Sequence, residues 1–278
     1  MTGIIDVGGA NRAVFADGVF DSLQDNNIVM DYCIGVSAGA ANISSYIAGQ
    51  RGRNLEFYTH YNFSSKSIGI LAWIRTRGSF IDLDYIYGKL SNSTGKSPLD
   101  YEAIMSSPSQ FKMSATDAQT AEAVYFDKSD LKQDDYRAVC ASSCDPEFCR
   151  PYPFKGRKYF DGYISDPLPV EKALADGCDR LIVILTLPKD HMRSSKSFEE
   201  RAAKLKKYPA IAEKIAKGAD IYNRKLSICL ELEKQGKALI LYPERNRLHP
   251  LEKDRTKILA LYQEGYENGG RVREFLQK

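Results

Sequence analysis

The chain has 278 residues and a formal net charge of +3, with 43% hydrophobic and 27% charged residues, a globular composition that excludes disordered and fibrous architectures. No apolar run approaches the roughly 18 residues of a membrane span, and the near-neutral charge excludes nucleic acid as a partner on bulk electrostatics. An acid at position 6, with no basic stretch before it, argues against a signal peptide, so the expectation is a soluble cytoplasmic protein built as one large α/β domain with an appendage.

In chain order, Gly3 to Val7 reads as a strand ending in Gly8-Gly9. Val14, Phe15, Val19, Phe20 and Leu23 then form one apolar stripe at helical spacing, closed by Asn26-Asn27. Met30 to Ile34 is a second strand, and Ala38 to Gly49 a helix of small residues. This strand–helix alternation predicts a mostly parallel sheet with crossover helices. The stretch 54–101 is aromatic and Ser-rich and reads as helices and loops laid over the sheet. Within it, Ile68 to Ile74 reads as a buried strand or short helix.

Phe111 to Thr116 and Val124 to Phe126 are two further strands, and Leu131 to Ser143 is predicted helical. Lys155-Gly156 turns a hairpin between Tyr152–Phe154 and Lys158–Phe160. Leu181 to Leu187 is a buried strand. Beyond Pro188 the composition shifts to Lys, Glu, Ala and Leu with helical periodicity and one strand at Ala238 to Tyr242. The predicted division is a core over 1–190 and a mostly helical extension over 191–278, packed on that core.

Cys33, Cys140, Cys144, Cys149, Cys178 and Cys229 contain no CxxC pair and read as reduced thiols. His60, His191 and His249 are far apart and unpaired, so no metal site is expected. The chemistry-bearing pattern is Gly35-Val36-Ser37-Ala38-Gly39, a GxSxG between a strand and a helix. Flanking glycines permit the sharp turn that lifts a serine hydroxyl above a sheet, at a helix N-terminus whose free N–H groups favour developing negative charge.

No histidine is evidently placed to serve that serine, which leaves carboxylates. Asp161, at a strand end before Gly162, is the first candidate base and Asp166 the rival. Gly8 to Ala13 follows the first strand and offers backbone donors to an oxyanion. It lacks the GxGxxG spacing of dinucleotide sites, and Thr94-Gly95-Lys96-Ser97 lacks the first glycine and following helix of a P-loop. No cofactor is expected.

These motifs together resemble the patatin-like phospholipases, most of all the bacterial branch. The resemblance runs from Gly3 to Arg193. It is carried by Gly8-Gly9-Ala10-Asn11-Arg12-Ala13, Gly35-Val36-Ser37-Ala38-Gly39 and Asp161-Gly162-Tyr163, with Gly49-Gln50-Arg51-Gly52-Arg53 and Ala115-Thr116-Asp117 between them. It implies a three-layer α/β/α sandwich and a Ser–Asp dyad. Ser37 would be the nucleophile, Asp161 the base, and Gly8, Gly9, Ala10, Arg12 and Ala38 the oxyanion hole. The implied partner is a lipid or other acyl-ester substrate.

Two departures stand out. Ala10 and Ala13 give up glycine's easy access to positive φ and predict a loop that is shifted or less open. Tyr163 sets a ring beside the base and predicts a narrower acyl pocket. The leading reading is a serine acyl-hydrolase acting through an acyl-enzyme. An inactive lipid- or protein-binding relative and an acyltransferase using the same serine compete with it.

Phe57, Tyr58, Tyr61, Phe63, Trp73 and Phe80 are candidates to cover the site and hold an acyl chain, against ordinary core packing. The segment 189–225 has eleven basic residues against five acidic ones. It is either a solvated helix face or a contact for anionic lipid headgroups.

Overall fold

The computed structural model describes residues 1–62, 64–245 and 247–277. The first half of the chain is built from β1 (Thr2–Asp6), α1 (Val14–Asp25), β2 (Tyr32–Val36) and α2 (Ala38–Ile47), followed by the short helices α3 (Arg53–Glu56), α4 (Ile70–Arg75) and α5 (Tyr101–Ser106). Next come β3 (Gln110–Asp117), β4 (Ala123–Asp127), α6 (Arg137–Ser142), β5 (Tyr152–Phe154), β6 (Arg157–Asp161), α7 (Val170–Ala175) and β7 (Arg180–Ile184). The last part holds α8 (Ser195–Ala202), α9 (Pro209–Ala216), α10 (Gly218–Lys234), β8 (Ala238–Leu241) and α11 (Arg255–Leu276).

All eight strands join one sheet in the order β5-β6-β3-β2-β1-β7-β8, with β4 also on β3. The run from β3 through β8 is parallel, and β4, β5 and β6 are antiparallel. Side chains alternate across the sheet. Ile4, Cys33, Met113, Ile182 and Ile184 join a core with α1, α2 and α11 on one face. Ile5, Ile34, Leu181, Val183 and Ile240 meet α7 and α10 on the other. Two covered faces make the three-layer α/β/α sandwich, as a mostly parallel sheet requires.

The hairpin and the strand pair at β3 and β4 form where the sequence places them. Lys155 at φ 45° and Gly156 at φ 75° make the two-residue turn between β5 and β6. Three local expectations fail. Strand β2 spans Tyr32–Val36 rather than Met30 to Ile34, so Gly35 lies inside it. The helix expected over 131–143 begins only at Arg137, because Lys132 and Asp135 close a tight turn through Asp134 at φ 61°. Ile68 to Ile74 contains the helix α4, yet Ile70, Leu71, Trp73 and Ile74 face outward rather than into a core. The segment after residue 190 holds the helices α8 to α11 and one strand, β8, which extends the central sheet on β7.

Candidate active site

The sheet register brings the candidate pair together. Strand β3 pairs with β2 up to Val36↔Ser114 and with β6 from Ala115↔Asp161, while β4 runs along its opposite edge past both points. Strands β2 and β6 therefore meet end to end on the same edge of β3. Ser37, the residue after Val36, and Asp161 emerge side by side. Gly162 lets this happen: a Cβ there would lie 2.4 Å from the Ser114 carbonyl oxygen. The glycine after the aspartate is thus a steric requirement of the join.

Ser37 sits at the N-terminus of α2 with φ 58° and ψ −128°, a strained conformation of a kind that costs on the order of 1–3 kcal/mol. The two motif glycines explain how the turn survives. A Cβ on Gly35 would be 2.5 Å from the Ala40 nitrogen, and one on Gly39 would be 2.4 Å from the Asp6 carbonyl oxygen. Both positions admit only hydrogen. From α6, the Ser142 hydroxyl accepts the Ser37 N–H at 3.0 Å and fixes the turn from the side.

Asp161 is buried, and that desolvation raises its pKa to about 8, against the opposing pull of the Ser37 hydroxyl and the Tyr163 N–H. The Tyr163 N–H reaches the carboxyl at 3.0 Å, and the Thr116 hydroxyl donates to the Asp161 carbonyl at 2.8 Å. The rival Asp166 is drawn elsewhere. It is buried in an ion pair with Lys225 at 2.9 Å and lies outside the lining of the Ser37 cavity.

The loop after β1 keeps a left-handed path. Gly8, Gly9 and Ala10 have φ of 65°, 119° and 54°. Ala10 thus adopts positive φ in spite of its methyl group, at a cost of about 1–2 kcal/mol, and in this respect the expected shift of the loop is absent. Gly8 passes so close to the elbow that a Cβ would meet the Val36 carbonyl oxygen at 2.1 Å. The N–H of Gly8 is taken by Asp6 Oδ1 at 2.9 Å. Among the described residues no acceptor takes the N–H groups of Gly9, Ala10 or Ala38. Asp6 is itself buried, which raises its pKa to about 7, and it also accepts from Asn42 at 2.9 Å.

Ser37, Asp161, Gly8, Gly9, Ala10, Arg12 and Ala38 all line one cavity of about 370 Å³. Its apolar wall comes from Ile81, Leu83, Ile86 and Tyr87 of the inserted segment and from Leu251. Of the aromatic residues singled out from the sequence, the described ones do not line it. Phe57 and Tyr58 are buried in other contacts, Trp73 and Phe80 are exposed, and Phe63 lies outside the described residues. A larger hollow of about 900 Å³ beside Asp84, Arg150 and Lys207 contains neither Ser37 nor Asp161.

Several cavity residues carry no motif. Tyr163 does stand beside Asp161, and its hydroxyl accepts from Arg201 Nη2 at 2.6 Å. Arg201 also pairs with Glu147 and lies 3.8 Å from Asp145. Arg193 reaches the same cavity from the loop before α8, and His249 stands on its lining with Nδ1 accepting the Leu251 N–H. The basic run from 189 was the one sequence signal pointing toward these arginines. Nothing local distinguished Asp6, Ser142 or Glu147. All six cysteines are buried free thiols, and among the described residues no group of three or more His, Cys, Asp or Glu is placed to hold a metal.

A sharp serine turn, a buried carboxyl on the neighbouring strand end and a glycine-rich loop thus come together on one end of this α/β/α sandwich. The model of the patatin-like phospholipase family matches residues 7–174, and the chain belongs to that family. A second model, a domain of unknown function (DUF6363), matches residues 208–277. Uncharacterized protein YjjU of Escherichia coli is 31% identical over 186 residues, covering 65% of this chain and 50% of that protein. The chain therefore spans half the length of that curated relative. The crystal structure of VipD from Legionella pneumophila is similar in fold, with a TM-score of 0.53 at 12% identity, covering 98% of this chain and 66% of that one.

Proposed function

We propose that this chain is a serine acyl-hydrolase that cleaves fatty-acyl esters of lipids. Ser37 attacks the ester carbonyl and Asp161 takes its proton. Asp161 passes that proton to the departing alcohol oxygen as the ester C–O bond breaks; it then deprotonates the water that attacks the acyl-enzyme, and the proton goes to Ser37 Oγ as the fatty acid leaves. The N–H groups of Gly9, Ala10 and Ala38 receive the oxyanion, a type of contact whose loss costs on the order of 3 kcal/mol. Gly8 contributes the bend rather than a donor, its N–H being held by Asp6.

The observation that carries this reading is the register at β3, which sets Ser37 against a desolvated carboxyl in a cavity with an apolar wall. A carboxylate needs no third residue to fix a tautomer, so two side chains suffice. The test is covalent labelling. A fluorophosphonate probe is expected to label the wild type at Ser37 and to leave Ser37→Ala unlabelled, with hydrolysis of p-nitrophenyl esters lost in parallel. Equal labelling of the variant would defeat the proposal.

We infer further that the chain meets anionic lipid surfaces at α4 rather than along the basic segment. Ile70, Leu71, Trp73, Ile74 and Phe80 are exposed together, with Lys66 and Arg77 exposed beside them. Phe80 adjoins Ile81, which lines the Ser37 cavity. By contrast, Lys189, Arg201, Lys214, Lys217, Arg224 and Lys225 of the basic segment are engaged in ion pairs.

A further inference from the structure

Beside Ser37, the loop from Gly8 to Ala13 opens with three successive residues at positive φ, the third of them an alanine. Backbone of this kind persists only where its surroundings over-determine it. The middle of the loop is tied to the segment before α11. There the Asn11 N–H donates to the Pro250 carbonyl at 2.9 Å, and the Asn11 side chain to that of Glu252 at 2.7 Å. Both ends of the loop are tied instead to one amide, on the helix that begins at the nucleophile turn.

That amide is Asn42, buried on α2. Its nitrogen carries two hydrogens, and both are used. One goes to the Ala13 carbonyl at 2.9 Å. The other goes to Asp6 Oδ2 at 2.9 Å, while Asp6 Oδ1 accepts the Gly8 N–H at 2.9 Å. The Asn42 oxygen accepts from the Tyr58 hydroxyl at 2.8 Å. These partners fix the way the amide faces, because turned over it would set its oxygen against the Ala13 carbonyl oxygen. Gly39 makes room for the arrangement, since a Cβ there would lie 2.8 Å from Asp6 Cγ. The Thr186 hydroxyl donates to the Gly8 carbonyl at 2.9 Å, so side chains hold both polar groups of Gly8. A buried polar network satisfied in this way is rigid and specific to its members.

We propose that Asn42 is a positioning residue that sets the oxyanion donors against the nucleophile. Acting directly on Ala13 and through Asp6 on Gly8, it holds the Gly9 and Ala10 N–H groups at a fixed offset from Ser37. The proposal rests on the reading of Ser37 as nucleophile and of this loop as its oxyanion hole, and adds the part that keeps the two in register. Oxyanion donors act by being in place before the charge develops, and a misplacement of about 1 Å can cost on the order of 10²-fold. Loosening the loop therefore lowers kcat and leaves KM nearly unchanged. The side chain must be an amide. Leucine keeps the outline without the donors, and aspartate sets acceptors against acceptors.

Asn42→Leu and Asp6→Asn in the full chain test this against Ser45→Ala. Ser45 is buried on the same helix and donates to Asn54 at 2.6 Å, so its loss removes a buried hydrogen bond away from the loop. With p-nitrophenyl octanoate, both test variants are expected to lose about tenfold or more in kcat with KM within about twofold. Inhibition by octylboronic acid, whose tetrahedral adduct on Ser37 presents an oxygen to the same donors, is expected to weaken by about tenfold or more. Ser45→Ala is expected to lower the melting temperature while kcat and boronate inhibition stay within about twofold of the wild type. If a thermal melt shows that Asn42→Leu does not fold, Asp6→Asn carries the test, because it replaces one of the two acceptors by a donor. Amide hydrogen exchange over residues 8–13 needs no substrate and is expected to be about tenfold faster or more in the folded test variants. Folded variants with wild-type kcat and boronate inhibition overturn the proposal, as does an equal loss of kcat in Ser45→Ala. A wild type that no fluorophosphonate labels would sink the hydrolase reading, and the exchange rates then decide alone whether Asn42 holds the loop.

Discussion

A carboxyl that burial holds at a pKa of about 8 is protonated in most molecules at pH 7, and in the proposed mechanism only its ionised form can take the proton of Ser37. Ester hydrolysis is therefore expected to rise with pH and level off above an inflection near 8. Asp161→Asn is expected to lose on the order of 10²–10⁴-fold in turnover at every pH. Stability moves the other way. Because the folded pKa lies above the unfolded value of about 4, the folded state keeps the proton more firmly. The resulting stabilisation is complete below the unfolded pKa and is lost as pH rises through about 8. Asp6, at about 7, and Asp145, at about 6, act in the same sense. The melting temperature is thus expected to fall from pH 5 to pH 9, less steeply in Asp161→Asn than in the wild type. Parallel slopes in a pair of pH–melting curves would show that Asp161 is not desolvated. As candidates, Ser37 and Asp161 were legible in the sequence because a sharp turn and a close strand contact both demand glycine, and glycine leaves a readable spacing. Asp6 and Ser142 were not, because their roles arise from neighbours placed by the fold: Gly8 and Asn42 for Asp6, and Ser37 for Ser142.

At the scale of elements, the glycine-rich loop after β1 leads directly into α1, and α1 is held by α11 from the far end of the chain. The two helices approach closely enough that Gly18, Gly265 and Gly269 become obligatory. A Cβ on Gly18 would lie 2.1 Å from the Tyr262 carbonyl oxygen, and one on Gly265 would lie 1.9 Å from that of Phe15. Gly269 would strike Ser22 at 2.5 Å. Hydrogen bonds rim the contact, from the Tyr262 hydroxyl to Asp21 at 2.7 Å and from the Tyr266 hydroxyl to Asp25 at 2.8 Å. Gly265→Ala is accordingly expected to cost about 1–3 kcal/mol or more, since overpacking here meets backbone that has no rotamer to change. Gly270→Ala is the internal control. Nothing lies within 4 Å of a Cβ there, so it is expected to stabilise the helix by about 0.5–1 kcal/mol. Denaturant melts of the two variants decide the matter, and equal effects would mean the helices are not in contact. The helical character of this segment was legible from its periodicity. Its pairing with α1 was not, because glycines in the middle of a helical stretch read as weakness until the opposing backbone is placed beside them.

Across the whole molecule, the distribution of unpaired surface groups bears on the proposed contact with a lipid surface. The basic segment was the conspicuous charge feature of the sequence, but Glu122, Glu147, Glu171, Glu213 and Glu233 answer much of its charge in the fold. Among the described residues, none of the helices is long and apolar enough to cross a membrane, which leaves α4 as the most apolar exposed element. Ile70, Ile74 and Leu71 are 68%, 62% and 58% exposed, an arrangement that costs free energy in water and is relieved at an interface. Trp73 is the only tryptophan in the chain and sits in this patch, so its fluorescence reports on the patch alone. On mixing with vesicles of phosphatidylglycerol and phosphatidylcholine, Trp73 emission is expected to shift to the blue. The double variant Ile70→Ser, Ile74→Ser is expected to bind at least tenfold more weakly, given about 1.5–3 kcal/mol for each isoleucine fully buried. Salt is expected to weaken binding through Lys66 and Arg77, each worth about 1 kcal/mol near an anionic surface. Lys204→Glu with Lys206→Glu, two exposed lysines of the basic segment, is expected to change vesicle binding far less than the isoleucine pair. Should the lysine variant abolish co-sedimentation while Trp73 emission stays unmoved in the wild type, the lipid-facing side is the basic segment and the role assigned to α4 is wrong.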